Sequence, residues 1–113
     1  VESRKVLIVE GGSDRKRLQK VLAEPVEIIC TNGTISPYRI EEMLMSYEEC
    51  ELFIFLDADE SGDKIRTLFK RECPEAIHLY TERTYRQVET TPYRVLAAIL
   101  LTASFEVHPE FLL

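Results

Sequence analysis

Two uninterrupted apolar runs constrain this chain most: Val6-Leu7-Ile8-Val9 and Leu52-Phe53-Ile54-Phe55-Leu56. A strand that is apolar at every position needs cover on both faces, as an interior strand of a parallel sheet has when helices pack above and below it. Two further segments are mixed in character. Val26 to Cys30 is interrupted by Glu27, and Ala76 to Tyr80 carries His78, so both read as edge strands.

Helical patterns alternate with these strands. Ser13 is placed to cap a helix whose inward face is Leu18, Val21 and Leu22. Ser36-Pro37 is a cap followed by proline at the first helical position, after which Ile40, Met43, Leu44 and Tyr47 repeat at helical spacing. A third helix is expected after Gly62, with Ile65, Leu68 and Phe69 inward and Lys64, Arg66, Lys70 and Arg71 outward. A last helix is expected over 92–103, opened by Pro92 and apolar on most sides from Val95 to Leu101.

The sum is one α/β domain over 1–113, with a four-stranded, mainly parallel sheet and helices on both faces. Placing the apolar strands centrally and the mixed ones at the edges gives the order 2-1-3-4. The chain then winds away in opposite directions from the first and third strands, and ligands bind beyond the carboxyl ends of strands at such a switch point. Glu10 follows the first strand and Asp57 the third, so the two acids are expected to meet there.

Composition narrows the function classes. A net charge of −6 argues against nucleic-acid binding through bulk charge alone. The charge is segregated, however. Nine of the twenty acids lie between Glu41 and Asp63, where there is no Lys or Arg, and six of the fourteen basic residues lie within the first twenty positions. Cys30, Cys50 and Cys73 are an odd number and widely spaced, which excludes a zinc ribbon and points to reduced thiols. His78 and His108 have no partners at ligand spacing and read as structural. The longest apolar run, Val95 to Leu101, is too short to span a bilayer, and the first residues show no signal-peptide pattern, so a soluble, cytoplasmic protein without membrane partners is expected.

Asp57-Ala58-Asp59 is an i, i+2 carboxylate pair at a strand end. With Glu10 opposite, three carboxylates crowd a small volume, where they would repel or retain a proton unless a hard divalent cation joined them. Gly11-Gly12 leaves room beside Glu10, and Gly62 opens a helix whose N–H groups could receive a phosphate. An EF-hand is excluded, because its twelfth position would be Leu68 and the preceding segment is a strand. Phosphatases with an Asp-x-Asp nucleophile carry that motif on their first strand and a later lysine, whereas no lysine follows Lys70 here. The same missing lysine separates the chain from response-regulator receivers, which Val6-Leu7-Ile8-Val9-Glu10 otherwise resembles. A receiver-like signalling domain is therefore the third alternative.

Val9-Glu10-Gly11-Gly12-Ser13-Asp14 together with Asp57-Ala58-Asp59-Glu60-Ser61-Gly62 resembles the Toprim domain of topoisomerases, primases and some nucleases, over roughly Lys5 to Tyr80. Thr31-Asn32-Gly33-Thr34 and Gly62-Asp63-Lys64-Ile65-Arg66 are most similar to small stand-alone Toprim proteins and to the Toprim part of the ribonuclease that matures 5S ribosomal RNA. The resemblance implies a Rossmann-like fold, Glu10 as general acid/base and metal contact, and Asp57 and Asp59 as ligands of Mg²⁺, with Mn²⁺ able to substitute. It matches Asp14 to a family acid of unassigned role and puts Ser61 where many members have a third aspartate. Gly11, Gly33 and Gly62 line the candidate site, while Arg15, Lys16, Lys64 and Arg66 are candidate contacts to flanking phosphates.

The expected function is Mg²⁺-dependent phosphoryl transfer on RNA or DNA, as a small nuclease or nuclease-like subunit. The alternative is a catalytically weak Toprim module that binds nucleic acid or protein. The apolar 92–103 helix could instead support a homodimer, its other reading being burial under the tail Phe111-Leu112-Leu113.

Overall fold

The side chains of β1 (Arg4–Val9) divide the molecule into two layers. Successive residues of a strand point to opposite faces. Leu7 and Val9 therefore enter one core with Phe53 and Phe55, and Val6 and Ile8 enter another with Leu52, Ile54 and Leu56. The computed structural model describes residues 4–81 and 84–113. Within them the order is β1, α1 (Gly12–Val21), β2 (Glu27–Cys30), α2 (Pro37–Ser46), β3 (Cys50–Phe55), α3 (Glu60–Glu72), β4 (Ile77–Leu79), α4 (Tyr93–Thr102) and a 3₁₀ turn at Pro109–Leu112.

The sheet runs β2-β1-β3-β4 and every pairing is parallel. Leu7 lies between Ile28 and Phe53, and Ile8 between Ile29 and Ile54. Helices α1 and α4 cover the Leu7 face through Leu18, Val21, Leu96, Ala97 and Leu100, and α2 and α3 cover the Ile8 face through Ile40, Met43, Ile65 and Phe69. The α/β class and the order expected from the apolar runs both hold.

Local starts depart from expectation where backbone geometry overrides residue preference. Ser36 does cap α2, accepting from the Arg39 N–H at 3.2 Å ahead of Pro37. Helix α1, however, begins at Gly12 with Gly11 rather than Ser13 as its cap, because the chain turns immediately after Glu10. A glycine has no side chain to cap with, and Asp14 supplies the bond from inside the first turn: the Gly11 N–H donates to its Oδ2 at 3.1 Å.

On α4, Leu96, Ala97 and Leu100 are buried and Leu101 is exposed. Phe111 lies against Tyr93 with ring centroids 5.5 Å apart, so the tail does cover part of this helix. Cys30, Cys50 and Cys73 are free thiols. Among the described residues, no helix is long and apolar enough to cross a membrane.

Candidate metal centre

Parallel pairing of β1 with β3 brings their carboxyl ends together, and with them the acids that follow each strand. Glu10, Asp57 and Asp59 each offer an oxygen, and these oxygens lie within 4.8 Å of one another. Glu10 and Asp57 border a cleft of about 380 Å³ lined also by Gly11, Gly12, Ser13, Asp14, Asn32, Gly33, Gln87 and Glu89. A larger cleft of about 760 Å³ lies at the opposite end of the sheet, around the first residues of β1, β2 and β3. Among the described residues it holds the Lys5–Glu24 ion pair and no such convergence of acids, so size does not mark the site.

The two aspartate carboxylates are fixed from different elements. Asp57 is buried, and its Oδ1 accepts from the Val88 N–H at 2.8 Å. Asp59 is the cap of α3, its Oδ1 accepting from the Gly62 N–H at 2.7 Å. That bond corrects the expectation for Gly62, whose N–H is committed to Asp59 rather than free for a phosphate. Gly62 matters through its missing side chain: a Cβ there would stand 2.2 Å from the Asp57 carbonyl oxygen. On the other side of the cleft, Asn32 and Gly33 take left-handed φ values of 58° and 84°. The Asn32 N–H donates to the Glu10 carbonyl at 2.7 Å, fastening this loop beside the site.

The electrostatics follow from the crowding. A hydrogen bond between the Glu10 and Asp57 carboxyls requires a shared proton. That bond, burial, and repulsion from Asp57, Asp59 and Asp14 push the Glu10 pKa up to about 8. Burial also raises Asp14, with Asp57 and Glu89 adding to the effect and the Gly11 N–H opposing it.

Folded Glu10 therefore holds a proton that the unfolded chain releases above 4.5. Its contribution to stability is full below that value and is lost as pH rises through about 8. His78, held down at about 4 chiefly by burial, acts in the opposite sense, adding stability as pH rises toward 6.5. The interval from 6.5 to 8 thus isolates the carboxyl effect, since the buried Cys73 thiol, raised from 9.0, adds its own fall only nearer that pH. Thermal melts of metal-free protein are expected to show a falling melting temperature there, and Glu10→Gln, whose amide can donate to Asp57 without a titrating proton, should flatten the fall. An equally steep fall in the variant would contradict the assignment.

Three converging oxygens, one of which holds a proton near neutral pH when no cation is present, fit a hard divalent ion. Mg²⁺ is commonly held by one or two carboxylates, with waters and substrate phosphate completing its shell. The bonds from Val88 and Gly62 engage one oxygen of each aspartate and leave the other oxygen for such an ion.

The predicted basic contacts separate into two groups. Arg15, Lys16 and Lys64 are exposed, Lys64 lying 3.7 Å from Glu60. Arg66 is a correction: expected outward, it is 3% exposed and its guanidinium donates to backbone carbonyls. The spacing carried the signal, since Gly62, Ile65, Arg66 and Phe69 form one buried helical stripe. Sequence reasoning also missed the strap from Thr84 to Thr91. Val88 is wholly buried in the Leu7-face core, the Ala58 N–H donates to the Arg86 carbonyl at 2.6 Å, and Arg17 bonds the Thr91 carbonyl. Its hydrogen bonds to Asp57 and Ala58 are made by backbone groups, which residue types do not reveal.

Comparison with known proteins agrees with this geometry. The model of the Toprim domain family matches residues 5–91. The Bacillus subtilis protein YusF, described as uncharacterized, is 48% identical over 111 residues, which cover 98% of this chain and 76% of that protein. A ribonuclease M5 of Ligilactobacillus salivarius is 31% identical over 78 residues, 68% of this chain but only 41% of that enzyme. A solved small Toprim domain protein from Bacillus stearothermophilus superposes with a TM-score of 0.96 at 48% identity, covering 100% of this chain and 96% of its own.

Proposed function

Because the chain belongs to the Toprim domain family, we propose that it is a Mg²⁺-dependent phosphodiesterase acting on nucleic acid, as a small nuclease or a nuclease-like subunit. The observation that carries this reading is the convergence of Glu10, Asp57 and Asp59 at the switch point between β1 and β3. The similarity to a ribonuclease supports it, the match spanning 41% of that enzyme.

Asp57, Asp59 and Glu10 are the residues that would hold Mg²⁺. Bound there, the ion would neutralise charge developing on a phosphate oxygen. Glu10 borders the cleft and, with its proton displaced by the ion, would take a proton from an attacking water and pass it to the leaving oxygen. A Cβ at Gly12 would meet nothing within 4 Å, so the start of α1 is open to a phosphate. Exposed Arg15, Lys16 and Lys64 would contact flanking phosphates, giving binding that weakens as salt rises.

The test is a cleavage assay on structured RNA, single-stranded RNA and DNA with Mg²⁺ or Mn²⁺. Glu10→Gln is expected to lower the rate at least ~100-fold, the lower end of what general acid–base groups contribute, while remaining folded. No metal-dependent cleavage of any substrate by the wild type would favour the second reading, a binding module with weak catalysis. That reading also draws on exposed apolar side chains: Ile77 on β4, Tyr80 just after it and Leu101 on α4. A homodimer through α4 predicts a two-chain mass in sedimentation at micromolar concentration, and a one-chain mass would contradict it.

A further inference from the structure

The ladder between β3 and β4 ends at the pair Phe55 and Leu79. Beyond it, the carbonyls of Leu56 and Leu79 both accept from one guanidinium nitrogen of Arg66, at 3.1 and 2.6 Å. The second terminal nitrogen lies 3.2 Å from His78 Nδ1 and 3.5 Å from the Ile54 carbonyl. The guanidinium carbon stands 4.1 Å from the centroid of the Tyr80 ring. The Leu56 carbonyl belongs to the peptide that leads into Asp57. One turn earlier on α3, Gly62 packs against the carbonyl of Asp57 itself. A single helix therefore holds the peptides on both sides of the buried carboxylate.

We propose that Arg66 is a positioning residue of the metal centre, clamping the ends of β3 and β4 so that Asp57 is held in place toward Glu10 and Asp59. The inference rests on reading those acids as a divalent-cation site. Burying a guanidinium is costly, and among the described residues no carboxylate lies within ion-pair distance of Arg66. An apolar side chain would fill the space without that cost. What it could not supply is a rigid planar fork of N–H donors reaching carbonyls on two strands, which lysine, with three donors on one atom, reproduces only in part.

Outer partners that orient metal ligands commonly account for 10–100-fold in metal affinity. The test is calorimetric titration of Mn²⁺ into the full chain, comparing wild type, Arg66→Lys, Arg66→Met and Val21→Ala, each below its melting temperature. Val21 is fully buried on the opposite face of the sheet and serves as a destabilised control. Arg66→Met is expected to bind ~10–100-fold more weakly, Arg66→Lys to fall between it and wild type, and Val21→Ala to bind as wild type does. If Arg66→Met does not fold, Arg66→Lys carries the comparison. Folded Arg66 variants with wild-type affinity, or an equal loss in Val21→Ala, would overturn the positioning role alone. Absence of Mn²⁺ binding by wild type would instead overturn the metal-centre reading, and this inference with it.

Discussion

Asp57→Asn is expected to fold normally and to bind Mn²⁺ at least ~100-fold more weakly, consistent with the loss of a charged ligand that coordination requires, whereas Asp57→Ala should lose stability as well. The difference lies in Oδ1. Asparagine keeps an oxygen there to accept from the Val88 N–H, and its amide can donate to Glu10. Alanine leaves that N–H buried without a partner and loosens the strap that covers the site. Losing a buried bond to a charged group costs about 1.5–3 kcal/mol. Relief of the repulsion with Glu10 offsets part of this, so the melting temperature should fall by roughly 5–10 °C for a domain of this size. Identical melting of the two variants would show that the strap does not depend on Asp57.

The second large effect concerns two glycines in similar positions. Gly12 and Gly62 each lie in the first turn of a helix that begins beside the acids. At Gly62 a methyl group would meet the Asp57 backbone at 2.2 Å, with no flexible side chain to yield. Gly62→Ala should therefore cost about 3 kcal/mol or more, at the upper end for overpacking, and should displace Asp57 from the cluster. At Gly12 there is open space, and alanine should be neutral or stabilising by up to ~1 kcal/mol. Denaturant unfolding of both variants checks the contrast. A Gly62→Ala protein as stable as wild type would mean that α3 is not seated against the Asp57 peptide.

The sheet was legible because burial imposes its pattern directly on residue type. Runs such as Val6 to Val9 and Leu52 to Leu56 are affordable only in the interior, and Glu27 and His78 mark the edges. The meeting of Glu10 with Asp57 followed from that order alone. The strap was not legible, since Val88 reaches Asp57 through a backbone N–H that any residue except proline carries. Arg66 was misplaced for a different reason. Its charge suggested solvent, while its spacing from Ile65 and Phe69 put it on the buried face, and spacing prevailed because backbone carbonyls were there to receive the guanidinium. Asp14 shows the same lesson on a smaller scale: an acid in the first turn of α1 bonds back to Gly11, where a side-chain cap at Ser13 was expected.

The decisive measurement is a calorimetric titration of Mn²⁺ into wild type and into Asp57→Asn/Asp59→Asn, each at pH 6 and pH 9. At pH 6 Glu10 holds its proton and an incoming cation must displace it; at pH 9 that proton is gone. The expected result is saturable binding in wild type, tighter at pH 9 than at pH 6, and absent from the double variant at both. Binding that survives in the double variant, or a wild type that binds no divalent ion at either pH, would contradict a metal centre built from Glu10, Asp57 and Asp59.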